Sequence, residues 1–502
     1  MKILLVYPPW IRFFGGSQPT FLLGLGYIAA VLESNGYEVA IYNADFDKSL
    51  YQLKNIDFFL NYSGYCNSVK DINNNIYKEI NVNIEKIGAD IIFITALSAN
   101  IDSAIAVAAI AKKINRKTII VMGGPHPTAL PEDVLEHEDV DIVVRGEGET
   151  TSLDLVNCIA DYGPTYKNYL EFIDGISYKK DGRIFHNQAR KQINNLDSIP
   201  FPARHLLING VLYPPSAYSL IFSSRGCPYN CIFCASKISW TRKIRYRSPQ
   251  NVLDEIRQVK EKYNCKNFRF QDDTLTVNRD YLMELCNLMI QNKLNITWSC
   301  LARVDEMDKG MAKLMREAGC TTVSLGIETG SKFSMKMIKK NINLDSVKNV
   351  ISVYKKSGII TKGFFIYGFP WEDKNMIMDS LNFILKLKLD AIEASVALPL
   401  PGTELYEMVK KTGILPEKIK WGHMNTAMPD SLFSLLVEKG EAKKIINYTQ
   451  ISVERYNNQR YYLNVFKKVT EHPFIYGGRF FKEKYYSKIL NSLFKKLLFG
   501  RR

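Results

Sequence analysis

Along the first 165 residues, short runs of Val, Ile and Leu alternate with stretches whose apolar positions recur every three or four residues. "KILLVYPP" predicts a buried strand, and "TFLLGLGYIAAVLESNGYEVAIYNADF" predicts an amphipathic helix, a stop at Gly36 and a second strand. The unit then repeats. "GADIIFITALS" reads as a strand and "IDSAIAVAAIAKKI" as a helix. "KTIIVMGGPH" and "VDIVVRGEGE" are further strands, the latter leading into a helix that begins near Glu149. Five buried strands with helical crossovers predict a doubly wound parallel sheet.

The expected type is flavodoxin-like, with ligands beyond the carboxyl ends of the strands. "GGPHPT" (Gly123 to Thr128) and "RGEGE" (Arg145 to Glu149) fall there, although each taken alone reads equally as a tight turn. "GISYKKDGRIFHN" predicts a hairpin turning at Asp181 and Gly182, and "LDSIPFPARHLL" a linker. From Tyr218 onward a second series begins: "SLIFSSRG", "NFRFQDDT", "ITWSCLAR", "TTVSLGIET", "ITKGFFIYGFP" and "AIEASVALPLPGT", separated by helix-length amphipathic sequence. Six βα units imply a partial TIM-like barrel with its chemistry at the C-terminal ends of the strands. The expected division is 1–165 for the first domain, 166–215 for hairpin and linker, 216–410 for the barrel and 411–502 for a mainly helical, basic and aromatic end.

Composition adds limits. Of the 502 residues 46% are hydrophobic and 23% charged, ordinary values for a folded protein of two or three domains. Six of nine cysteines are scattered without paired spacing, which fits a reducing cytoplasm. "MKILLVYPPW" is too short an apolar run for a signal peptide, and no stretch reaches the roughly 18 apolar residues of a spanning helix.

The other three cysteines, Cys227, Cys231 and Cys234, stand together in "SSRGCPYNCIFCASK" just after the first barrel strand. Clustered thiolates select zinc or iron and sulfur. A structural zinc site needs four ligands, and no second CxxC or HxxxH follows. Ferredoxin-type clusters are also closed by four cysteines, so three ligands would leave one iron of a cube without a protein ligand.

CxxxCxxC at this place in a barrel, with Phe233 before its last cysteine, resembles the radical S-adenosylmethionine (radical SAM) superfamily. The resemblance implies a 4Fe-4S cluster held by Cys227, Cys231 and Cys234, whose open iron chelates S-adenosylmethionine. It implies reductive cleavage to a 5'-deoxyadenosyl radical, with electrons from a donor such as flavodoxin or ferredoxin. It further assigns cofactor contacts to Phe233, to Asp272 and Asp273 of "QDDT", to Arg303, Glu328 and Lys340, and to Gly368 of "GFFIYGFPWED". The usual Gly-Gly-Glu of the second strand is replaced by "QDDT", and an acidic residue alone reads equally as a helix cap.

A flavodoxin-like domain ahead of such a barrel resembles the cobalamin-binding subfamily. By that resemblance Ser98, Gly123, Gly124, His126, Thr128, Gly146, Glu147 and Gly148 lie along the cobalamin, with His126 a turn or tail contact rather than an axial ligand, since no DxHxxG occurs. The implied activity is methylation of an unactivated carbon of a small-molecule or lipid-like substrate. Radical oxidation, cyclisation or rearrangement with the same cofactors is the second reading, and a cobalamin or cluster sensor the third.

The net charge of +15 concentrates at the end of the chain. Residues 451–502 hold twelve Lys or Arg, three Glu and twelve Phe or Tyr. A peripheral membrane contact at the inner membrane surface and a solvated cationic face both fit, and nucleic acid is disfavoured.

Overall fold

The computed structural model describes residues 1–53, 55–305, 307–416, 419–423 and 434–471. The first sheet contains β1 (Lys2–Tyr7), β2 (Glu38–Asn43), β3 (Ile91–Thr95), β4 (Ile119–Gly123), β5 (Ile142–Val144), β6 (Ile176–Lys180) and β7 (Arg183–His186), in the order β2-β1-β3-β4-β5-β6-β7. The first five strands are parallel, and Ile3 to Val6 at their centre are wholly buried, as continuous apolar strands covered on both faces should be. The sheet has seven strands rather than five because the hairpin β6–β7 adds to β5 antiparallel. Asp181 (φ 51°) and Gly182 (φ 73°) turn it in the left-handed region that suits a two-residue hairpin loop.

The second sheet is entirely parallel. After β8 (Leu220–Ile221), β9 (Ser224–Arg225) and β10 (Arg245–Tyr246) come β11 (Asn267–Phe270), β12 (Thr297–Arg303), β13 (Cys320–Glu328), β14 (Ile360–Tyr367) and β15 (Ala391–Val396). The order β8-β11-β12-β13-β14-β15 makes six strands of an open barrel. Residues alternate along each strand: on β14, Thr361, Gly363, Phe365 and Tyr367 are buried under the outer helices, whereas Ile360, Lys362, Phe364 and Ile366 face inward and are more accessible. The first strand is shorter than its apolar run predicts. Asp272 draws Ser223 and Ser224 out of the sheet, and β9 pairs antiparallel with β10 instead.

A long helix, Lys439–Glu471, covers the free edge of β15. The Asn457 amide accepts from the Ile392 N–H and donates to the Ile392 carbonyl, both at 2.8 Å. Gln450 donates to the Ala394 carbonyl and Tyr456 to that of Leu389. This helix is the described part of the expected helical end; the remaining tail, 472–502, lies outside the described residues. Among the described residues no helix is long and apolar enough to cross a membrane.

Candidate active site

The β9–β10 pair closes the base of a loop that carries all three cysteines. Gly226 opens it at φ 103°, where a Cβ would stand 2.5 Å from the Lys243 carbonyl oxygen, so only glycine admits this crossing. Buried Ile232 ties the loop to the barrel, donating to the Ile338 carbonyl and accepting from the Leu405 N–H. Cys227, Cys231 and Cys234 are partly buried and form no disulfide. Burial pushes all three thiols up, Cys234 to about 11. Ligation would therefore release protons. Among the described residues no three His, Cys, Asp or Glu side chains converge on a single ion. The donor set suits a cube, where each thiolate takes a different iron, and the Ser236 N–H pointing at Cys234 Sγ (3.5 Å) is the kind of bond that tunes such sulfurs.

Strand ends converge on this loop. The Arg303 guanidinium lies 3.7 Å from the centre of the Tyr229 ring and pairs with Asp305, while also donating to the Lys340 carbonyl. Glu328, at φ 66°, pairs with the Lys340 ammonium at 2.5 Å, and both are buried. Asp273 accepts from Ser236 Oγ within the cysteine loop. Asp272 is turned away, its carboxylate taken by the Ser223 N–H and the Ser223 and Ser224 hydroxyls, so it anchors the first strand. The Phe233 ring sits 6.2 Å from Phe369, which stacks on Trp371 at 5.1 Å.

Glu372 sets the turn at Gly368. Its buried carboxylate accepts from the Gly368 N–H (2.9 Å), the Phe369 N–H (3.2 Å) and Ser334 Oγ (2.7 Å). Burial pushes this carboxyl up, partly offset by those bonds. Glu372→Ala is expected to destabilise the protein by about 1–3 kcal/mol in denaturant unfolding, because three donors lose their acceptor.

A cavity of about 280 Å³ opens at the C-terminal ends of β3, β4 and β5. Gly123, Gly124, Gly146, Glu147 and Gly148 line it, facing Arg225 and Trp240 of the barrel. At Gly124 (φ 102°) a Cβ would stand 2.8 Å from the Ala96 carbonyl oxygen, and at Gly148 2.8 Å from Ile28 Cδ1. At these two positions only glycine lets the backbone pass so close to Ala96 and Ile28, and the cavity beside them is of a kind that suits part of the nucleotide tail of a cobalamin. Ser98, His126 and Thr128 stand behind this rim. His126 is buried with Nδ1 against Ser98 Oγ (2.9 Å) and Nε2 against Asp133 (3.1 Å), leaving neither nitrogen for a cobalt. Thr128 Oγ1 accepts from the Gly146 N–H.

A buried ion cluster joins the two places, and sequence reasoning gave Arg225 and Arg245 no role. Arg225 donates to Glu147 (2.9 Å) and Glu149 (2.6 Å), Arg245 donates to Glu147 (2.8 Å), and the Arg225 guanidinium lies between Tyr27 and Trp240. Both arginines come from the β9–β10 pair and both glutamates from the glycine-rich rim. Burial opposes the charge on Arg225, but Glu149, Tyr27 and Glu147 more than restore it and its pKa stands above the ordinary value. The signal available was position alone: Arg225 stands two residues before Cys227.

Comparisons with known proteins agree with this geometry. Residues 221–384 match the family description "Radical SAM superfamily" and residues 17–156 match "B12 binding domain". An uncharacterised methyltransferase of Pyrococcus horikoshii is 33% identical over 83% of this chain and 84% of its own length. A cytidylyl-2-hydroxyethylphosphonate methyltransferase of Streptomyces wedmorensis is 28% identical over 83% of each chain. An anaerobic magnesium-protoporphyrin IX monomethyl ester cyclase of Rubrivivax gelatinosus is 29% identical over 66% of this chain and 60% of its own. The solved structure of the radical S-adenosylmethionine methyltransferase TsrM of Kitasatospora setae, with cobalamin and a 4Fe-4S cluster bound, superposes with a TM-score of 0.64 at 14% identity, covering 82% of this chain and 76% of TsrM, and so shares the fold. The chain belongs to the radical SAM superfamily, among the cobalamin-dependent methyltransferases that carry a B12-binding domain ahead of the barrel.

Proposed function

We propose that the protein methylates an unactivated carbon of a small molecule, using S-adenosylmethionine both as methyl source and as radical source. The observation that supports this reading is the Arg225–Glu147–Glu149 cluster, which ties the strand leading into the cysteine loop to the glycine-rich rim. When bound, the cluster and S-adenosylmethionine supply the hydrogen-abstracting radical, and cobalamin supplies the methyl group. Cys227, Cys231 and Cys234 hold the cluster. Arg303, Glu328 and Lys340 offer fixed charges to a zwitterionic amino acid moiety, and the Gly368 turn, braced by Glu372, offers backbone to an adenine. Gly123, Gly124, Gly146 and Gly148 make room for the cobalamin tail, with Ser98, His126 and Thr128 supporting that rim. A low-potential flavodoxin- or ferredoxin-type donor fits the need for single electrons.

Anaerobic reconstitution with iron, sulfide and cobalamin tests the reading through its products. Reduced protein supplied with substrate is expected to convert S-adenosylmethionine to both 5'-deoxyadenosine and S-adenosylhomocysteine. 5'-Deoxyadenosine alone would favour oxidation or cyclisation, the reading that the cyclase relative supports. Neither product would sink both and leave the sensor.

A further inference from the structure

A cavity of about 1010 Å³ lies inside the lower half of the open barrel, walled by the N-terminal domain at Gln18 and Leu53 and by the helix Lys439–Glu471. Strand register places the cavity's strand residues, Arg269, Ile360, Lys362, Phe364, Ala391 and Glu393, on rungs with their lateral neighbours. Arg303, Gly326, Phe364 and Glu393 are lateral neighbours across β12 to β15, so the Arg303 rung is level with the cofactor groups. Ser324, Lys362 and Ala391 form the next rung down, and Arg269, Ser299, Thr322 and Ile360 the one below. At about 3.3 Å per residue, Lys362 lies one rung, about 7 Å, and Arg269 two rungs, about 13 Å, beneath the level of Arg303.

Barrel interiors of this kind are ordinarily packed with branched apolar side chains. Here Arg269 and Lys362 enter the cavity from opposite walls, and among the described residues neither makes an ion pair or a side-chain hydrogen bond. Three carboxylates, Asp390, Glu393 and Glu454, also line the cavity; Asp390 is committed to Lys355 and the Thr361 N–H, Glu454 accepts from Asn458, and among the described residues none of the three forms an ion pair with Arg269 or Lys362. Lipid tails would leave both cations desolvated and unpaired, a costly arrangement.

We propose that Lys362 and Arg269 bind an anionic group, carboxylate, phosphonate or phosphate, at one end of an elongated polar substrate whose reacting carbon lies about 7–13 Å above, on the Arg303 rung. The substrate class becomes an anion-bearing small molecule rather than a lipid. This rests on the proposed reaction for the identity of the upper end, but the binding itself does not.

The test uses the full chain, reconstituted with cluster and cobalamin, and three probes of equal length: butylphosphonate, 1-butanol and butyltrimethylammonium. Ligand-observed NMR is expected to show butylphosphonate binding, with the alcohol and the cation at least tenfold weaker. Lys362→Met and Arg269→Met are each expected to weaken butylphosphonate about tenfold, the loss of one charge-assisted contact, without changing S-adenosylmethionine affinity. Lys411→Met, outside the cavity, controls for nonspecific attraction to a basic protein and should leave binding unchanged. No butylphosphonate binding to the parent protein, equal binding of the cation, or unchanged binding in both cavity variants would overturn the proposal. Failure of the reaction itself would show separately, as absent S-adenosylmethionine cleavage with the probe still bound.

Discussion

Replacing Cys231 by alanine is expected to abolish both normal 4Fe-4S loading and cleavage of S-adenosylmethionine. In the proposed reading the three thiols are the whole protein ligand set on this loop, and Cys231 is the one whose surroundings include the charges of Lys340, Glu328 and Arg303, at the strand ends. The loss should be read as iron content and visible absorption after anaerobic reconstitution, then as 5'-deoxyadenosine formed under reduction. Cys286→Ala supplies the comparison. Cys286 is fully buried in the core, so its variant should lose stability, by about 1–3 kcal/mol, yet load and turn over normally. Normal loading in the Cys231 variant would overturn the assignment of the loop.

The second large effect is expected at Arg225. Arg225→Met would leave Glu149 without its charged partner and Glu147 with Arg245 and the Ile193 N–H, both side chains being buried. Breaking one side of a buried pair costs about 3–5 kcal/mol, measurable by denaturant unfolding. The variant should also bind cobalamin more weakly, since the glycine-rich rim loses its brace. A pH signature accompanies this. Burial pushes the Glu147 carboxyl up, but Arg245 and Arg225 outweigh it and its pKa stands below the ordinary value. A carboxylate held below its unfolded pKa contributes stability that is complete above the ordinary carboxylate range and disappears as pH falls through the folded value. Acid unfolding of the parent protein should therefore be steeper than that of Arg225→Met, and equal slopes would remove Glu147 from the account.

Much of the architecture was legible because burial imposes short periods on the sequence. All eleven parallel strands announce themselves as apolar runs, and the Asp181–Gly182 turn announces the hairpin. The three cysteines and the glycine-rich strand ends stood out in the sequence because clustered thiols and paired glycines are unusual residue types at strand ends. What stayed hidden depends on pairs remote in the chain. Nothing near Arg225 signals Glu147, 78 residues earlier, and nothing near Asp272 says that its carboxylate is taken up by Ser223 and Ser224. The lumen charges Arg269 and Lys362 look like ordinary solvent positions on alternating strands. Only the curvature of the sheet turns that polar face inward, and curvature leaves no mark on a period of two.

Asn457 has a consequence for how an incomplete barrel survives in a crowded solution. An unpaired edge strand is a template for joining other chains, and β15 would be one. A single amide meets both the N–H and the carbonyl of Ile392, standing in for one residue of a missing neighbour. The barrel therefore need not close upon itself to be protected from edge-to-edge association, and its unclosed side is left free to receive another domain and a ligand.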